Sequence, residues 1–193
     1  MKTISGRLAE ARLYLFYVYA VLRPGIRVPT FTSPPDGETT MVGLSVEDLK
    51  LVLEEGRRAL DQQEINLERI RSRASTSLTL GLAEIAALSA LAPRAFAKGP
   101  VITILWCVGA VAVILGIGGA VAVLTAQAIM GSINPRQVAA TSSPVLPHLV
   151  QELLRSLGES EVTVRTRLTV FRDAILLETV SALLLGGIWP FTR

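Results

Sequence analysis

Glu84 and Glu178 are the residues whose surroundings give them chemical weight. Each sits inside an otherwise apolar stretch, and each follows an R-x-R pair at the same distance. Arg71-Ser72-Arg73 leads to Glu84 and Arg165-Thr166-Arg167 leads to Glu178, all three equivalences sharing an offset of 94 residues. At helical rise each carboxylate lies about 16 Å beyond its second arginine, a depth inside the hydrocarbon if both helices cross a bilayer. An ionised carboxylate facing lipid costs several kcal/mol, so each is expected to face other helices, a water-filled space or a protonated neighbour. Two such groups at matching depth suit a cation pathway or proton carriage, and carboxylates that share a site favour each other's neutral form. The structural alternative is a carboxyl that bonds a nearby hydroxyl, such as Ser89, Thr179 or Ser181, and holds helices together. Both readings stand at this point.

The elements that must position these groups follow from hydropathy. The 193 residues are 50% hydrophobic and only 18% charged, with a mean hydropathy of +0.49. That is too apolar for an ordinary soluble domain. A spanning helix needs roughly 20 predominantly apolar residues, and residues 100–130 contain no charge at all. Trp106 and Gln127 lie near its ends as interfacial anchors. A second span covers about 75–96 and contains Glu84. The short connection from Pro93 to Pro100 makes the two an antiparallel hairpin. A third span covers about 170–189, contains Glu178, and ends at Trp189 and Phe191, where an aromatic belt belongs.

Arg69, Arg71 and Arg73 precede the first span, Arg136 follows the second, and Arg165, Arg167 and Arg172 precede the third. Arg94, Lys98 and Arg193 lie at the opposite ends. The positive-inside rule therefore predicts a multi-pass protein of an inner (plasma) membrane with its N-terminus cytoplasmic. Arg71, Arg73, Arg165 and Arg167 would form a cytoplasmic basic collar. Residues 13–22 are apolar but too short to span, and they hold four of the ten aromatic residues. They suit an interfacial helix or one packed on the others, with a fourth span as the rival.

The predicted order is an interfacial amphipathic helix at 1–23, a proline-rich arm at 24–44 and a cytoplasmic heptad-like helix at 45–74. A transmembrane hairpin follows at 75–130, then a cytoplasmic linker and helix at 131–169, and a third transmembrane helix and tail at 170–193. The fold class is an all-α integral membrane protein. Ser45 reads as a helix cap with Glu47 and Asp48 in the first turn. Val46, Leu49, Leu53, Gly56, Leu60, Leu67, Ile70 and Ala74 recur at steps of three and four, with Gln63 in the gap and Gly56 as a weak point. No breaker separates this seam from Ser75, so one helix is expected to run through. The seam either lies on the chain's own C-terminal helices, for which 146–157 is a suitable partner, or meets copies of itself. Ala112, Gly116 and Ala120 form a small-xxx-small face that allows close helix approach, with the first span as the suggested neighbour.

Other chemistries find little here. One Cys and one His make neither a zinc site nor a Cys–His pair. His148, beside Pro147 at a helix start, reads as a capping or surface residue. The glycines at 116–119 lie inside an apolar helix, not between a strand and a helix, so they are no phosphate loop. No catalytic set, metal, cofactor or small-molecule substrate is indicated, and the net charge of +3 flanks spans instead of forming a nucleic-acid surface.

Arg69-Ile70-Arg71-Ser72-Arg73-Ala74-Ser75-Thr76, opening a tight two-helix hairpin, resembles the SLATT-type small bacterial membrane effectors over about residues 60–130. That resemblance implies a bacterial protein of nucleotide-signalling and anti-phage defence systems that oligomerises and permeabilises a membrane. The third span and the proline-rich arm depart from the pattern. The expected function is a non-enzymatic, homo-oligomeric membrane effector or ion-conducting assembly. The alternative is an accessory or scaffold subunit among other membrane subunits.

Overall fold

A computed structural model describes residues 4–23, 45–125 and 145–191. The arm at 24–44, the segment around Arg136, Gln127 and Arg193 lie outside the described residues. Four α-helices account for nearly all of the rest: α1 (Ile4–Leu22), α2 (Val46–Ala97), α3 (Pro100–Thr125) and α4 (Val145–Ile188), the last closed by a 3-10 turn at Trp189–Phe191. There is no strand among the described residues. Three helices, α2, α3 and α4, are long and apolar enough to cross a membrane.

The start of α2 is a reciprocal cap. Ser45 Oγ accepts from the Asp48 N–H at 3.1 Å, while Asp48 Oδ2 accepts from the Ser45 N–H at 3.1 Å and its hydroxyl at 2.7 Å. Two otherwise orphaned donors are satisfied at once. The helix then continues without a break into the first span, as the unbroken seam predicts. It also runs through Pro93, so the connection to α3 shrinks from the expected Pro93–Pro100 loop to Lys98 and Gly99. Pro93 is tolerated because it falls in the penultimate turn, where only one ladder bond is lost. Gly99 has φ +107°, which glycine adopts without a side-chain clash. Pro100 opens α3, where its missing N–H costs nothing. Trp106 donates its indole N–H to the Leu88 carbonyl at 2.8 Å and stacks at a tilt on Phe96, centroids 5.2 Å apart. The expected interfacial anchor thus also ties the hairpin together.

The chain divides into two compact units. One contains α2 up to Arg69 and α4 up to Thr166. In it the heptad seam of α2 is covered by its own chain. Leu49, Gly56 and Leu67 are buried, and Gly56 is a notch: a Cβ there would overlap Leu153 Cδ2 and reach Leu157 Cδ1. The residue expected to weaken the seam is the one that lets α4 approach. Of the two readings left open by the sequence, the seam lying on the chain's own C-terminal helix matches this arrangement. Val46 departs from the pattern and is exposed, as the first helical position beside the cap.

The other unit contains α1, α2 from Ile70, α3, and α4 from Arg167. The α2 seam persists as Ile70, Ala74, Ser77, Gly81, Leu88, Leu91 and Ala95, all buried. Outward-facing Leu80, Val101, Ile104, Val111, Val180 and Leu183 are exposed, the pattern of helices whose outer surface meets an apolar medium. α4 is a single helix where the sequence suggested a short cytoplasmic helix and a separate span; most of the linker expected before it lies outside the described residues. α1 lies against α3, with Tyr14 and Tyr17 buried. Of the readings offered for it, the packed one matches this arrangement.

Candidate functional site: a buried carboxylate pair

Three helices of the second unit place the site. On α2, Ser77, Gly81 and Glu84 fall at steps of four and three and so share a face. On α4, Ala174, Glu178 and Ser181 do the same. α3 supplies the small face Ala112, Gly116 and Ala120, all buried.

Glu178 is 6% exposed. Ser77 donates its hydroxyl to Glu178 Oε2 at 2.6 Å. The glutamate lies against two glycines, its stem at Gly116 and its carboxylate at Gly81. A Cβ on Gly116 would stand 2.7 Å from Glu178 Cγ and 3.1 Å from the Ala174 carbonyl oxygen. A Cβ on Gly81 would stand 2.6 Å from Ile117 Cγ1 and 3.2 Å from Glu178 Oε1. The small-xxx-small face of α3 therefore meets α4 at Gly116, not the first span as the sequence suggested.

Glu84 is half-buried and lies beside Ser181, with Glu178 close enough for the two charges to interact. Glu178 Oε1, Glu84 Oε2 and Ser181 Oγ are all buried and have no hydrogen-bond partner. Ser89 and Thr179, offered earlier as partners for the carboxylates, instead bond the carbonyls of Ile85 and Ile175 on their own helices at 2.8 Å. Ser77 was not singled out from sequence. It lies on the 3-4 stripe extended past Ala74, which is the signal that finds it.

The two carboxylates are in electrostatic range of each other, but their register differs from the repeat. Contacts between α2 and α4 join Ser77 to Glu178 and Glu84 to Ser181, offsets of 101 and 97 positions (178 − 77 and 181 − 84). The R-x-R repeat implied 94. Glu84 consequently stands about one helical turn further along the bundle than Glu178.

The basic collar is uneven. Arg73 and Arg165 are exposed, and Arg165 pairs with Glu161 at 2.5 Å. Arg71 is half-buried, whereas Arg167 is 2% exposed with Arg71 and Tyr17 in electrostatic range. Arg172 reaches Asp173 at 2.9 Å and Glu10 of α1 at 3.5 Å. α1 is further held by Tyr14, whose hydroxyl donates to the Leu115 carbonyl at 2.7 Å. Gly119 makes room: a Cβ there would overlap the Tyr14 hydroxyl. Val18 seats similarly on Gly118, where a Cβ would stand 2.8 Å from its Cγ1.

These features define a class, a chain whose described residues are helical, with three span-competent helices that bury one acidic side chain and half-bury a second. Comparison with protein-family models, curated proteins and solved structures returns no match.

Proposed function

We propose that this chain is a non-enzymatic, multi-pass membrane protein that handles small cations, working as a homo-oligomeric, ion-conducting effector with its N-terminal region in the cytoplasm of an inner membrane. The observation that carries this reading is Glu178, buried between Gly81 and Gly116 with Glu84 in electrostatic range. Acidic groups at such depth are costly in a bilayer and mark ion or proton routes more than they add stability. Because Glu178 faces its own helices, the polar element belongs to each subunit and does not need a ring of copies to enclose it. The arginines before the first and third spans support the orientation.

The test is ion flux from liposomes carrying the purified protein, compared with the Glu84→Gln, Glu178→Gln double variant. Flux that the double variant loses, at unchanged oligomer size, supports the proposal. Flux retained by a well-folded double variant removes the carboxylates from the route. A well-folded wild type that passes no ion, and is stable only with a second polypeptide, favours the accessory-subunit alternative.

A further inference from the structure

Three buried oxygens of the α2–α3–α4 bundle have no hydrogen-bond partner, and between them they carry one hydrogen, that of the Ser181 hydroxyl beside Glu84. Glu178 Oε1 and Glu84 Oε2 are carboxylate oxygens, and Ser181 Oγ is a fully buried hydroxyl. Burying an oxygen without a partner is costly, and burying two like charges side by side is costlier still. Helix α3 cannot relieve that charge, since residues 100–125 contain no ionisable side chain except Cys107, which is exposed. α1 presents Tyr14, whose hydroxyl is already committed to the Leu115 carbonyl, and Glu10. Asp173 of α4 and Glu10 of α1 are both engaged by Arg172. Arg71 and Arg167 sit several turns away along their helices. What is missing between the two carboxylates is positive charge.

We infer that Glu84, Glu178 and Ser181 form a binding site for one small monovalent cation, a proton or a sodium-sized alkali ion, held on Glu178 Oε1, Glu84 Oε2 and Ser181 Oγ. Both occupants answer the same need. A proton turns one carboxyl into a donor to a neighbouring oxygen, as in carboxyl pairs that cannot both ionise. An alkali ion accepts all three oxygens, the donor type that hard cations take. Ser77 holds Glu178 Oε2 and leaves Oε1 to face the site, and Gly81 keeps that side open because a Cβ would stand 3.2 Å from Oε1. Ser77 and Gly81 are thus positioning residues.

The inference rests on the reading of a cation-handling membrane protein but is tested without flux. The full-length protein in lipid nanodiscs is unfolded thermally in sodium chloride and in choline chloride of equal ionic strength, from mildly acidic to mildly alkaline buffer. Infrared spectra of the same samples report any protonated carboxyl. Sodium-specific stabilisation that Glu84→Gln and Ser181→Ala each reduce identifies the alkali ion. A protonated-carboxyl band that is independent of sodium, shifts in Ser181→Ala and is lost in the double glutamine variant identifies the proton. Neither response in folded wild-type protein overturns the inference. If Glu178→Gln fails to fold, Glu84→Gln and Ser181→Ala carry the test, because neither is clamped between glycines. Binding without flux would reject the proposed function alone, and flux without binding would reject this inference alone.

Discussion

Ser77 hands its hydroxyl hydrogen to Glu178 across 101 positions of sequence, at 2.6 Å, in a place from which both side chains are hidden. This contact joins the first and third span-competent helices at their most polar point. Ser77→Ala should leave Oε2 as unpartnered as Oε1 and destabilise the protein by about 1–3 kcal/mol. A double-mutant cycle with Glu178→Gln, followed by unfolding in mixed micelles, should show a coupling of about 0.5 kcal/mol or more. Additivity within error would mean that the contact contributes nothing.

The glycines divide sharply by what surrounds them. Gly116→Ala drives a methyl toward Glu178 Cγ and the Ala174 carbonyl oxygen, and backbone cannot step aside as a side-chain tip can. A loss of about 1–3 kcal/mol is expected. Gly158→Ala, also within α4 but with nothing inside 4 Å of the new methyl, should be neutral or stabilising by up to about 1 kcal/mol. Equal effects in a parallel unfolding series would show that the notch at Gly116 is not tight.

Tyr14→Phe removes the hydrogen bond to the Leu115 carbonyl while keeping the ring. The expected loss is about 1 kcal/mol, concentrated in faster amide exchange along α1. Gly119→Ala should release α1 further, because it displaces the ring itself. Exchange in α1 that ignores both changes would mean that this helix is held elsewhere.

The α2 cap is sensitive to acid. The Ser45 hydroxyl, then the Ser45 N–H, hold the Asp48 carboxyl below the usual carboxylate range. A depressed value means the folded form binds its proton less readily than the unfolded one. The cap's contribution is therefore complete above the ordinary carboxylate range and is lost as pH falls through the lowered value. Amide protection at the first turn of α2, corrected for the intrinsic pH dependence of exchange, should fall with acidification in the wild type, and Asp48→Asn should flatten that dependence.

Much of this was legible in the sequence. Apolar runs, one of them free of charge, marked the three span-competent helices, and the 3-4 stripe through Leu49, Gly56, Leu67 and Ile70 marked the buried face of α2. Three things were obscured. Pro93 read as a boundary because local propensity disfavours it, but a late turn tolerates it. Residues 158–169 were left between the partner helix at 146–157 and the third span, because Gly158, Glu159 and Glu161 break the apolar pattern. Yet Ser160, Thr163, Thr166 and Arg167 are buried there, and a polar buried stripe is invisible to hydropathy. The R-x-R repeat put the two carboxylates level, whereas register between packed helices is set by notches such as Gly81 and Gly116, not by repeated charges.

The clamp on Glu178 also imposes an order on assembly. Ser77, Gly81 and Gly116 are all synthesised before Glu178, which emerges 62 positions after Gly116 (178 − 116). The residues that receive Glu178 are therefore all present in the growing chain before Glu178 itself. The last helix then carries an acidic side chain that finds its hydroxyl partner only after lateral docking. A chain that stalls between these events would hold an unfinished cleft, a state that quality-control proteases could distinguish from the finished bundle.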